Sequence, residues 1–116
     1  MNIEEIRDYC LAKNRAEESM PFDDSTIVFK VGGKMFALLG LERMVLNIKC
    51  NPDRSIELRE EYSAIREGYH MNKRLWNSLY FEEGLPQQLV IELIDHSYDL
   101  VLASLPKKVR AELIPD

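Results

Sequence analysis

Two groups of residues have the types and the spacing for chemistry. Residues 68–77 interleave aromatic, cationic and amide groups, placing Tyr69, His70, Asn72, Lys73, Arg74, Trp76 and Asn77 within ten positions that no single amphipathic period explains. Lys30, Lys34 and Lys49 flank or follow the pair Gly32-Gly33. An amide beside two cations offers one group to a base edge and two to phosphates. A glycine-tipped hairpin with flanking lysines can enter or straddle a groove as a wing, its glycines allowing close backbone approach. Trp76 could stack on an exposed base, a contact worth about 1–3 kcal/mol, although a lone tryptophan at the start of a strand is more often a core anchor. These residue types point to a nucleic-acid partner, with Lys30, Lys34, Lys49, His70, Asn72, Lys73 and Arg74 as the candidate contacts. Catalysis finds less support. His70 and His96 are the two imidazoles, and Glu67 lies close enough in sequence to His70 to orient a general base. No nucleophile-elbow glycine context, no phosphate-cradling glycine-rich loop and no zinc-type Cys/His spacing accompanies them. The expectation is a protein that is not an enzyme and uses neither cofactor nor metal.

Charge both opposes and permits a nucleic-acid partner. The net charge is -5, and phosphate binding depends on Lys and Arg displacing counterions. The charge is unevenly spread, however. Residues 1–27 hold 3 cations against 7 carboxylates, residues 28–76 hold 9 against 6, and residues 77–116 hold 3 against 7. A middle of +3 between two segments of -4 is what acidic helices flanking a lysine-bearing sheet would give. It is also what a basic working surface on an acidic body would give.

The elements that must position these residues are legible from pattern. At 116 residues, 46% hydrophobic and 30% charged, the chain suits one domain, residues 1–116, with its own core. The first residues lack the basic start and apolar block of a signal peptide, and no window is apolar enough to span a bilayer. Two distant cysteines, Cys10 and Cys50, form no disulfide framework, so a reducing cytoplasm is the expected compartment. Asn2 and Glu5 are placed for a capping box that opens a helix over residues 3–13, and residues 17–25 read as a connection. Residues 26–31 and 34–40 read as strands joined at Gly32-Gly33, which pairs Phe29 with Phe36 and puts Phe29, Phe36, Ile27 and Leu38 on one face, with Lys30, Val28, Met35 and Ala37 on the other. A third strand covers residues 44–49. Asn51-Pro52 opens a helix to about residue 62 with Ile56 and Tyr62 inward. Residues 76–81 alternate as a strand, Pro86 opens the longest helix with an apolar stripe from Leu89 to Leu105, Pro106 closes it, and a short helix over residues 107–113 carries Lys107, Lys108 and Arg110.

The fold class is therefore α+β: a two-layer domain with helices on one face of an antiparallel sheet of four to five strands. Five blocks now carry a resemblance. They are Met20-Pro21-Phe22, the hairpin from Phe29 to Ala37, Asn47-Ile48-Lys49-Cys50, residues 69–77, and Ser97-Tyr98-Asp99-Leu100-Val101. In this order and spacing, almost end to end, the chain resembles the MmcQ/YjbR family of small bacterial proteins. The resemblance implies DNA binding, through the likeness of the family fold to a phage transcription-factor domain called a double wing. The same two-layer fold is similar to type III secretion chaperones, which implies a non-enzymatic protein-interaction module as the rival, binding another protein or a second copy of itself. In that case Met35, Met71, Leu41 and Met44 would supply an adaptable apolar contact. A contiguous positive surface uniting Lys30, Lys34, Lys49, Lys73 and Arg74 would favour DNA, and an apolar surface would favour protein.

Overall fold

The computed structural model describes residues 1–69 and 71–113. In chain order the elements are α1 (Ile3–Leu11), β1 (Glu17–Ser19), β2 (Thr26–Val31), β3 (Lys34–Gly40), β4 (Val45–Lys49), α2 (Pro52–Glu61), β5 (Ile65–Glu67), β6 (Trp76–Leu79), α3 (Gln87–Ser104) and α4 (Lys107–Leu113). The strands form one antiparallel sheet in the order β1-β2-β3-β4-β6-β5. The α+β class holds, with six strands where four to five were expected. The extra strands are the two edges. Glu17, Glu18 and Ser19 are all exposed and show no apolar alternation. Backbone pairing with β2 holds them, together with the ion pair from Arg7 of α1 to Glu18. A short charged edge of this kind discourages pairing with other chains and carries no hydrophobic signature to read.

The β2–β3 hairpin turns at Gly32-Gly33, with φ of +58° and +80°. Gly32 is required twice over, because a Cβ there would lie 2.6 Å from Leu105 Cδ1. Val31 pairs with Lys34 and Lys30 with Met35 as the turn dictates, but Phe29 pairs with Ala37 and not with Phe36. A bulge absorbs one residue of β3, so Phe36 and Ala37 both join the helix-side core and the alternation beyond them inverts. Leu38, expected beside Phe29, instead lies on the opposite face with Val28, and Ala37 takes its place. One slipped residue exchanges faces, as a period of two requires. Where the β3–β4 pairing stops short of Phe36 and Lys49, the buried hydroxyl of Ser97 bridges the two main chains. It donates to the Phe36 carbonyl at 2.6 Å and accepts from the Lys49 N–H at 2.8 Å.

The helices pack on one face through a single core. Ile6 and Cys10 of α1, Leu58 of α2, and Val90, Leu93, Ile94, Tyr98 and Val101 of α3 meet Phe29, Phe36, Leu39, Leu46, Ile48 and Leu79 from the sheet. Tyr98 meets Phe36 edge-on with centroids 5.3 Å apart. Asn2 and Glu5 form the expected capping box, and Asn51 caps α2 by accepting from Asp53 N at 3.0 Å. Ile56, expected inward, is 50% exposed. Helix α2 instead buries Ser55 and Leu58, with Tyr62 partly buried one turn on, and Ile56 sits about 100° from that stripe. The opposite sheet face carries a small cluster of Val28, Leu38 and Trp76 with Met35, Met71 and Leu75 packed on it, and among the described residues no helix contributes to it. No helix of the described residues is long and apolar enough to cross a membrane.

Candidate nucleic-acid interface

Strand alternation fixes where the lysines go. Val28 and Asn47 face the open side, so Lys30 and Lys49, two residues further along their strands, face it too. Lys30 pairs with Met35 and Lys49 with Trp76, which places these four in one row across the sheet at its hairpin end, with Lys34 exposed at the tip. The same end receives the connection between β5 and β6. Gly68 lets that connection cross tightly over Trp76, since a Cβ would come within 2.8 Å of Trp76 Cβ and 2.9 Å of its carbonyl oxygen. Tyr69 N–H then donates to Ser78 Oγ at 2.9 Å, and Ser78 Oγ donates to Asn47 Oδ1, tying the connection down onto the open face.

Asn72, Lys73 and Arg74 form a turn at this end. Asn72 Oδ1 accepts from Arg74 N at 2.9 Å and the Asn72 carbonyl accepts from Trp76 N at 2.9 Å, so the side-chain oxygen is engaged and the Nδ2 group is what can reach outward. The Lys73 carbonyl accepts from Arg59 Nη1 at 3.0 Å, while its ammonium stands 3.5 Å from Glu67. Both Lys73 and Arg74 are exposed. His70 lies outside the described residues. Trp76 is 8% exposed and packs on the open-face cluster, which places it as an anchor of the sheet and not as a stacking platform.

Cations outside the anticipated set join this end. Leu105 and Leu113 both lie against Gly32, so α4 flanks the hairpin tip along its length and brings Lys107, Lys108 and Arg110 there. Arg15, held at φ +61°, donates from Nε to the Leu113 carbonyl at 3.2 Å. The basic start of α4 is visible in the sequence, but nothing local says that it packs beside the hairpin. Among the described carboxylates, Glu17 opposite Lys30, Glu67 beside Lys73 and Glu112 on α4 share this end. At the other end of the sheet, the loop leading into β2 brings Asp23 and Asp24, the β3–β4 turn brings Glu42, and the segment after β6 brings Glu82 and Glu83, against Arg43 and Arg66. The topology therefore sorts charge that the sequence only segments: the hairpin end is basic and the far end acidic.

Among the described residues, the two thiols are buried and the His96 imidazole is engaged. Burial pushes Cys10 up to about 12, leaving no thiolate at neutral pH. His96 Nε2 accepts from Asn51 N at 3.2 Å and helps cap α2. Met35, Met71, Leu41 and Met44, expected as an exposed contact, are all half-buried, Leu41 and Met44 against the helix-side core and Met35 and Met71 against the open-face cluster. Among the described residues, the exposed large apolar ones are Met20, Phe22, Ile56 and Tyr69.

Comparisons with known proteins agree with the architecture. The YjbR family model matches residues 11–100. The uncharacterized protein YjbR of Escherichia coli (strain K12) is 32% identical over 116 residues, covering 98% of each chain, and the uncharacterized protein YbdF of Escherichia coli O157:H7 is 38% identical over 97 residues, covering 82% of this chain and 80% of its own. Among solved structures, the Deinococcus radiodurans protein DR2400, with family-model domain DUF419, superposes with a TM-score of 0.91 at 35% identity over 97% of this chain and 87% of that one. A Pseudomonas syringae protein superposes with a TM-score of 0.76 at 26% identity, covering 87% of this chain and 99% of its own. With a family match across most of its length and relatives alike from end to end, this chain belongs to the YjbR family.

Proposed function

We propose that this domain binds nucleic acid, DNA in the first instance, with the hairpin end of its sheet. The observation that carries the reading is the convergence of cations from separate parts of the chain, Lys30, Lys34, Lys49, Lys73 and Arg74 together with α4, at one end of a protein whose net charge is -5. Phosphate contacts of this kind supply affinity and orientation without reading sequence. With the Asn72 oxygen held in its own turn, an adenine-type bidentate contact from that side chain is unavailable. The complex should therefore be salt-sensitive and weakly selective, with a Kd on the order of 10⁻⁶ to 10⁻⁴ M at physiological salt.

The test is fluorescence anisotropy with labelled duplex and single-stranded DNA over a salt series. If about four phosphates are neutralised, log K should fall against log salt with a slope of roughly -3 to -4, and Lys73→Ala/Arg74→Ala should flatten that slope by about 2. Absence of binding at low salt would refute the function. Binding indifferent to the double substitution would refute the placement of the 72–74 turn in the interface.

A further inference from the structure

On the open face, reaching from the far end of the sheet up to Met35, lies a cleft of about 450 Å³ that the nucleic-acid reading does not use. Its size is within the range of small-molecule sites. Gly40 stands between Thr26 and Val45 in a row across the sheet and leaves its own position in that row without a side chain. Gly40 needs no left-handed backbone, and a Cβ there would meet Val45 Cγ1 at 3.0 Å, so what glycine contributes at this strand position is space. Leu38, Val45 and Met71 make the walls and floor apolar.

Two polar groups turn this space into a site. Asn47 lines the cleft at 8% exposure, its Oδ1 engaged by Ser78, and its Nδ2 group has no acceptor among the described residues. Without an acceptor and not sealed from solvent, that donor is open to a group entering the cleft. Arg43 stands at the mouth with its guanidinium carbon 4.1 Å from the Tyr69 ring centroid and Nη2 3.5 Å from Tyr80 Oη. Stacked and oriented in this way, it keeps most of its planar fork of donors available, the geometry that takes a carboxylate bidentately. Phe22, 64% exposed at the rim, adds an apolar surface over the opening. Asp23, also at the rim, is occupied by the Ser25 N–H at 2.9 Å.

We infer that this cleft binds a small aromatic carboxylic acid. The ring lies over Leu38 and Val45 in the space left by Gly40, a ring oxygen accepts from Asn47 Nδ2, and the carboxylate meets Arg43. The probe is 4-hydroxyphenylacetate, titrated into the ¹⁵N-labelled full chain and followed by NMR, with neutral 4-hydroxyphenylacetamide as the control. The expected result is saturable movement of the Asn47 side-chain amide signals, with affinity about tenfold weaker for the amide and about tenfold weaker in Arg43→Gln. Gly40→Ala should weaken binding by narrowing the floor. Arg43→Gln changes an exposed turn residue and keeps the test valid if Gly40→Ala fails to fold. DNA binding at the hairpin end should be unchanged by the probe. The inference is overturned if the Asn47 signals do not move saturably at millimolar probe, if acid and amide bind alike, or if Arg43→Gln binds as wild type.

Discussion

The two ends of the open sheet face are made from the same strands and differ in kind. At the hairpin end the residues that matter are exposed cations on turns and strand ends, gathered by pairing register and by the seating of α4 on Gly32. At the far end they are a missing side chain at Gly40, the open Nδ2 group of Asn47 and the guanidinium of Arg43 stacked on Tyr69. One end gathers exposed charge, and the other is a cleft with an apolar lining. The difference shows that backbone pairing, more than local composition, decides which groups a surface presents together. Both ends depend on one irregularity, since the bulge in β3 sends Leu38 and Gly40 to the open side while leaving Met35 beside Lys30.

The most damaging single change to both ends should therefore be at the bulge. Ser97→Ala removes the hydroxyl that satisfies the Phe36 carbonyl and the Lys49 N–H, leaving one buried and one partly buried backbone group unpaired at a cost of about 1–3 kcal/mol each. A loss of roughly 2–4 kcal/mol in urea denaturation is expected, and a loss under about 0.5 kcal/mol would mean that β3 and β4 close without the hydroxyl.

A smaller effect should fall on the hairpin end alone. His96 accepts from Asn51 N–H, next to Lys49, and must be neutral to do so. Its pKa is depressed below the ordinary 6.5, first by burial and then by the charge of Arg54. A histidine with a lowered folded pKa binds protons more readily when unfolded. Its contribution is complete above about pH 6.5 and declines as pH falls through that value toward the folded pKa. The denaturation midpoint should accordingly drop between pH 7.5 and 5.5, and His96→Gln, whose amide oxygen can accept the same bond, should shrink that drop. An unchanged pH dependence in the variant would assign the effect to other groups.

How far the sequence alone reached follows the same physics. Helix starts were legible because Asn2 with Glu5, and Asn51 with Pro52, act through bonds within a few residues. The hairpin turn was legible from Gly32-Gly33, and the α3 stripe from its spacing. The face assignment of Ala37 and Leu38 was not, because the bulge is held by Ser97, 61 residues from Phe36. Ile56 misled because α2 is mostly charged and only its packing partners choose its inward side. The edge strands β1 and β5 were hidden for want of an apolar alternation. Of the candidate contacts, the lysines were recognisable by type, but their meeting at one end, and the addition of Arg15 and α4, are properties of the topology. The cleft rests on Gly40, Arg43 and Asn47, which stand close together in sequence but carry no motif, and whose placement depends on sheet register.

The claim that location and not total charge governs binding can be tested with two double substitutions of equal net charge. Lys30→Glu/Lys34→Glu alters the hairpin end, and Arg43→Glu/Arg66→Glu alters the far end. In DNA anisotropy at low salt, the first pair is predicted to weaken binding at least about tenfold and the second by less than about threefold, both variants being folded by circular dichroism. Equal losses from the two pairs, or a greater loss from the far end, would contradict the account.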